Sequence, residues 1–261
     1  MADAVLEARR ADAAQWPTLK CVFDDGPAAK AAIGLVTLAN DTVIEPELKA
    51  FLPDGASVYA SRIPIAKMAS VKTLTDMEAH LAEAARLIVP EDRLDVLAFG
   101  CTSGSMAIGP ENVRARINGA RPGIPVTNPV SAAAKGLKAL GVRRIALITP
   151  YPDDVNAVVE KFVSGQGFEI AIKGSFKCKG DFEISRVPPQ ALYEAAVELG
   201  RQDVGGVFIS CTALRCSSMI QRAEDAIGKP IVTSNQALAW DCLRLAGDKR
   251  PVAGFGRLLG S

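Results

Sequence analysis

Three segments of this 261-residue chain occur twice, in the same order and about 110 residues apart. IGLVT at 33–37 returns as IALIT at 145–149. LDVLAFGCTSGS at 94–105 returns as VGGVFISCTALR at 204–215, which places Cys101 over Cys211. IPVTNPVSAAAKGLKALG at 124–141 returns as KPIVTSNQALAWDCLRLAG at 229–247, with Pro125 over Pro230. One such match between strands is cheap, because strands resemble each other. Three in register imply a duplicated unit, and duplication constrains a fold more than any local propensity does.

Within each copy, short Val- and Ile-rich runs alternate with longer amphipathic stretches. The reading is strands at 32–38, 57–63, 94–99 and 125–127, then at 143–149, 168–176, 205–210 and 230–233. Helices fall at 45–51, 74–88, 111–120, 129–139, 153–165, 189–201, 217–226 and 235–246. Such alternation predicts parallel sheets covered by helices. The expected fold is α/β, with two Rossmann-like lobes related by a pseudo-twofold axis. Residues 1–30 form an N-terminal extension. Residues 31–140 with 236–261 form one lobe, and 141–235 form the other. Ligands of open parallel sheets bind beyond the carboxyl ends of the strands, so the active site is expected in the cleft between the lobes, where Cys101 and Cys211 meet.

Composition removes several classes of function. A net charge of +1 gives nucleic acid or an anionic membrane no reason to bind. No apolar run approaches the roughly 20 residues of a membrane span. The N-terminus lacks the apolar core of a secretory signal, so a cytoplasmic location is expected, and with it reduced thiols in place of disulfides among the six cysteines. No C-x-x-C pair exists, and the single histidine, His80, lies in a helical stretch that reads as solvated surface. Neither a metal nor an organic cofactor is expected. Free cysteine is commonly buried filler, and Cys21, Cys178, Cys216 and Cys242 are read that way.

Cys101 and Cys211 are read differently, because each ends a matching strand and each is followed by threonine. A thiolate is both nucleophile and base. A helix N-terminus after the strand is expected to lower the thiol pKa. Its N–H groups, with the hydroxyls of Thr102, Ser103 and Thr212, would suit a carboxylate. Two such groups on opposite faces of one carbon suit isomerisation or racemisation beside a carboxylate. A Cys–His pair is unavailable to supply other thiol chemistry.

The segments LVTLANDTVIEPEL, FGCTSGS, GLKALGVRRIALITPYPDDVN, FISCTALR, VTSNQALAWDCLRLAG and GFGRLL resemble the aspartate/glutamate racemase superfamily. The branch is that of maleate cis-trans isomerases and arylmalonate decarboxylases, and the likeness runs from about residue 31 to the end. Within it the chain is most similar to the A proteins of ectoine-utilization operons, which also carry an N-terminal extension. The resemblance implies that Asn40 binds a substrate carboxylate and that Cys101 adds to a double bond. Tyr151 would hold the other carboxylate, and Cys211 would protonate the adjacent carbon. By likeness to the decarboxylases, Thr102, Ser103 and Tyr151 would line a carboxylate or enediolate pocket. Those enzymes keep the second cysteine and lack the first. One departure stands out: GDFE places Asp181 where maleate isomerases carry an asparagine, and an anion there suits an aminated ligand better than a dicarboxylate. The expected partner is a small carboxylate or amino-acid-like substrate, with dimerisation left open. A decarboxylase and a non-catalytic small-molecule binder are the alternatives.

Overall fold

Helices flank two parallel sheets that repeat one strand order in the computed structural model, which describes residues 16, 18–66 and 70–261. Of the expected extension, residues 1–15 and 17 lie outside the described part. Residues 18–26 are exposed and form neither helix nor strand. Cys21 is therefore exposed and not buried filler, since this segment enters no core.

The first sheet has the order β2-β1-β3-β4, from β1 (Ala31–Leu38), β2 (Ala56–Ile63), β3 (Val96–Phe99) and β4 (Val126–Thr127). The second has the order β6-β5-β7-β8, from β5 (Arg144–Thr149), β6 (Glu169–Ser175), β7 (Gly206–Ile209) and β8 (Ile231–Thr233). All pairings are parallel. Equivalent registers recur, with Ile33 opposite Val96 in one sheet and Ile145 opposite Gly206 in the other. β1 is buried along its whole length and the edge strands β2 and β6 are not. That is why β1 reads as an unbroken apolar run.

The first half of the chain supplies α1 (Ile44–Phe51), α2 (Val71–Asp76), a 3₁₀ turn (Met77–His80), α3 (Leu81–Arg86), α4 (Thr102–Ile108), α5 (Pro110–Ala120) and α6 (Pro129–Ala139). The second supplies α7 (Asp153–Gly165), α8 (Asp181–Ile184), α9 (Pro189–Gly200), α10 (Ile220–Ile227), α11 (Ser234–Leu245) and α12 (Gly256–Leu259). The single helix expected over 74–88 is broken into three pieces. The Thr75 hydroxyl donates to the Val71 carbonyl, a back-bond that bends helices. The sequence reading missed α4, because Thr, Ser and Gly mask its periodicity, and it missed the one-turn elements α8 and α12.

The two halves exchange helices. α6 follows β4 of the first sheet and reaches β8 of the second, and Lys138 near its end lies over the Phe168 ring at 5.8 Å. α11 follows β8 and lies against β3 and β4 of the first sheet and against α1. Buried residues of both sheets consequently join one cluster that includes Leu35, Ala98, Ile148 and Phe208.

Candidate active site

Each sheet delivers its cysteine by the same device. One residue past β3, the Gly100 N–H donates to Val36 O at 2.7 Å; one residue past β7, the Ser210 N–H donates to Ile148 O at 2.8 Å. The next residue in each case is the cysteine. Cys101 caps α4, its Sγ accepting from the Gly104 N–H at 3.3 Å, with Ser103 Oγ at 3.9 Å. Glycine at 104 eases this approach, since a Cβ would stand 3.0 Å from the Cys101 sulfur and would displace Met77 Cε, 2.5 Å away. Cys211 leads into turns instead of a helix, and its Sγ accepts from the Ala213 N–H at 3.4 Å.

Cys101 and Cys211 line one cavity of about 30 Å³, walled also by Asp41, Tyr151, Cys178 and Asp181. That is room for about two waters. Lys179 and Gly180, which are not buried, belong to the cavity wall.

A buried polar frame beneath the thiols ties the halves together. Ser234 Oγ accepts from the Thr102 hydroxyl and from the Cys211 N–H, both at 3.0 Å. The Thr212 hydroxyl donates across to Gly100 O at 3.3 Å. Asn235 Nδ2 donates to Thr212 O at 2.8 Å. From α1, the buried Glu47 carboxylate accepts from the N–H groups of Cys216 (2.9 Å) and Ser217 (3.1 Å) and from the Ser217 hydroxyl (2.6 Å).

Burial dominates the electrostatics. It pushes the Cys101 thiol up to about 12, against the opposing hydrogen bond from Gly104, and pushes Cys211 well above its ordinary value. The expected lowering by a helix N-terminus is thus overridden: the contacts from the Gly104 N–H and the Ser103 hydroxyl do not repay the desolvation of a thiolate. Burial also raises Tyr151. Its hydroxyl has no hydrogen-bond partner among the described residues and faces Cys211, whose sulfur becomes a strong acceptor only as a thiolate. Burial raises Asp41 to about 6 and raises Asp181 too.

Of the residues singled out in the sequence, Cys101, Thr102, Ser103, Tyr151, Asp181, Cys211 and Thr212 all line the cavity. Asn40 is exposed and does not. Its Nδ2 donates to Asp181 Oδ2 at 3.1 Å, so it reaches the site through that carboxylate. Sequence reasoning missed Asp41, the neighbour of Asn40, which is 4 % exposed and faces the cavity. It also missed Ser234 and Glu47, whose roles rest on contacts between halves. Cys178 is buried as expected, but in the cavity wall. Cys242 and Cys216 are buried, and His80 is exposed. Among the described residues no group of three or more His, Cys, Asp or Glu side chains could hold a metal ion, and no helix is long and apolar enough to cross a membrane.

Residues 33–259 match the family model described as arylmalonate decarboxylase. An arylmalonate decarboxylase of Bordetella bronchiseptica is 36 % identical over 141 residues, a match spanning 52 % of this chain and 58 % of that protein. A maleate isomerase of Geobacillus stearothermophilus is 25 % identical over 244 residues, covering 87 % of this chain and 96 % of its own. Among solved structures, a Nocardia farcinica maleate cis-trans isomerase with a covalently bound succinylcysteine intermediate superimposes with a TM-score of 0.79 at 23 % identity, over 88 % of this chain and 98 % of that one.

Proposed function

The chain belongs to the arylmalonate decarboxylase family, and from that membership we propose that it is a cofactor-independent isomerase or racemase that works beside a substrate carboxylate with two thiols, Cys101 and Cys211. The observation that carries the reading is the shared cavity: two cysteines from equivalent strand ends, in two different sheets, face one small space. In the isomerase form the Cys101 thiolate adds to one carbon of the double bond as the π pair moves to the other. Cys211 delivers its proton there. Rotation about the new single bond and reversal of both steps give the trans acid. The succinylcysteine intermediate of the Nocardia relative is an adduct of the kind this scheme requires.

Thr102, Ser103, Thr212 and Tyr151 would line the carboxylate pocket, with the unpartnered Tyr151 hydroxyl as the readiest donor. Asp181 supports an amino-acid-like substrate over a plain dicarboxylate, and Asn40 would act by holding Asp181. A catabolic step on ectoine or hydroxyectoine is the setting that the sequence resemblance suggests. The second reading is a decarboxylase in which Cys211 alone protonates an enediolate; the family description and the Bordetella relative favour it. Turnover of maleate and of an arylmalonate by the wild type and by the Cys101→Ala and Cys211→Ala variants separates the two. Isomerisation lost in both variants supports the two-thiol reading. Decarboxylation that survives Cys101→Ala supports the second. Tight ligand binding with no turnover would leave a binding protein.

A further inference from the structure

Two carboxylates stand in the cavity, each with one oxygen engaged and one free. Asp41 Oδ1 accepts from the N–H groups of Val43 (2.7 Å) and Ile44 (2.9 Å), and Oδ2 receives no hydrogen bond among the described residues. Asp181 Oδ2 accepts from Asn40, and Oδ1 receives none among the described residues. The groups that act on Asp41 are Asp181, Arg62 and Cys101. Arg62 is already engaged: it donates to the carbonyls of Leu38 and Asp41 and pairs with Glu45 at 2.6 Å. Lys179, the one basic residue in the wall, makes no ion pair among the described residues. The same cavity is lined by the buried Tyr151 hydroxyl, which has no hydrogen-bond partner among the described residues.

We propose that Asp41 is a substrate-binding residue that, with Asp181, holds the ammonium group of a small aminocarboxylic acid whose carboxylate meets the Tyr151 hydroxyl. The inference rests on reading this cavity as the substrate site and adds to it both a residue and a ligand class. Asp41 is buried and Asp181 half-buried, so two neighbouring negative charges there are unfavourable, and a cation between them reduces that penalty. Burial already holds Asp41 at about 6, and both carboxylates raise Cys101 further. An ammonium placed there would restore the ionised carboxylates and cancel their opposition to a Cys101 thiolate. The substrate would then help to activate the thiol that attacks it. A metal cation fits less well, because no third ligating group joins the pair among the described residues.

Calorimetry with matched probes tests this: succinate against D- and L-aspartate, and butyrate against 4-aminobutyrate, at pH 6 in buffers of different ionisation enthalpy. Asp41→Asn is a mild change, because the amide oxygen can still accept from Val43 and Ile44. In the wild type an aminated member is expected to bind at least tenfold more tightly than its plain partner, with release of protons on binding. In Asp41→Asn that preference should shrink to about threefold or less, and the proton release should fall. Equal binding of paired probes, no binding of any aminated probe, or an unchanged preference in Asp41→Asn would overturn the proposal. So would proton release driven by Ca²⁺ or Mg²⁺ and not by amines. None of these readings depends on turnover, so the two-thiol mechanism stands or falls separately, on the cysteine variants.

Discussion

At the residue scale the site combines similar side chains in unequal settings. Cys101 caps a helix and Cys211 leads into turns, yet burial sets both thiols high. If both thiols act, Cys101→Ala and Cys211→Ala should each reduce isomerisation by about 10² to 10⁴, the usual worth of a positioned acid or base. Cys242→Ala, in the core outside the cavity, should stay within about twofold in a steady-state assay. Asp181→Asn should improve binding of plain dicarboxylates such as maleate by roughly tenfold, about 1.4 kcal/mol; calorimetry that finds no gain would remove Asp181 from substrate selection. Asp41 also makes a prediction about stability. Burial lifts its folded pKa to about 6, above the ordinary aspartate value, so between the two the folded state binds more protons than the unfolded chain. Stability contributed by the protonated acid is therefore lost as pH rises through about 6. Thermal melts from pH 4 to 7.5 should show the wild type losing stability relative to Asp41→Asn over that window.

Among the elements, α1 does the most to join the chemistry of the two sheets. Just before it, Asp41 in the cavity wall accepts from the Val43 and Ile44 N–H groups, and one turn into the helix Glu47 holds the loop after Cys211. The apolar periodicity of α1 makes Ile44, Leu48 and Phe51 its core face, and this was legible in the sequence. Glu47 was not, because a glutamate between them reads as solvated until another element's N–H groups are known to point at it. Glu47→Gln keeps the shape and one acceptor oxygen but loses charge-assisted bonds to Cys216 and Ser217. A cost of about 1 to 3 kcal/mol is expected in denaturant unfolding, with faster amide hydrogen exchange across 212–217 than across β1. Exchange that rises equally in both would show general loosening instead.

For the whole molecule, exchange of α6 and α11 between the sheets makes the halves one unit. Asp241 on α11 accepts from Thr127 of β4 at 2.5 Å and from Lys135 of α6 at 2.8 Å, and is itself buried. Lys135 is half exposed, so the pair is worth less than a fully buried one. Asp241→Ala should still cost about 2 kcal/mol, mostly through the hydroxyl and ammonium left behind. Both halves should unfold in one transition. Trp240 fluorescence in a Trp16→Phe background and far-ultraviolet circular dichroism should then give coincident midpoints; separated midpoints would mean that the lobes melt independently.

The sequence by itself determined the duplication, the two parallel sheets and the strand ends that present Cys101 and Cys211. These follow from periodic apolar runs and from a motif repeated in register, information that is local or translational along the chain. Thr102, Ser103 and Thr212 were read from their place after the two cysteines, Tyr151 and Asp181 through likeness to a family, and the structure gathers all five around the same cavity. Only the tertiary structure decided that Asn40 turns to Asp181 while its neighbour Asp41 faces inward, that Ser234 bridges the Thr102 hydroxyl and the Cys211 backbone, and that burial pushes both thiols up. Each of these depends on which groups from distant segments share one buried volume. Desolvation is a property of that volume, and no spacing along a single segment encodes it.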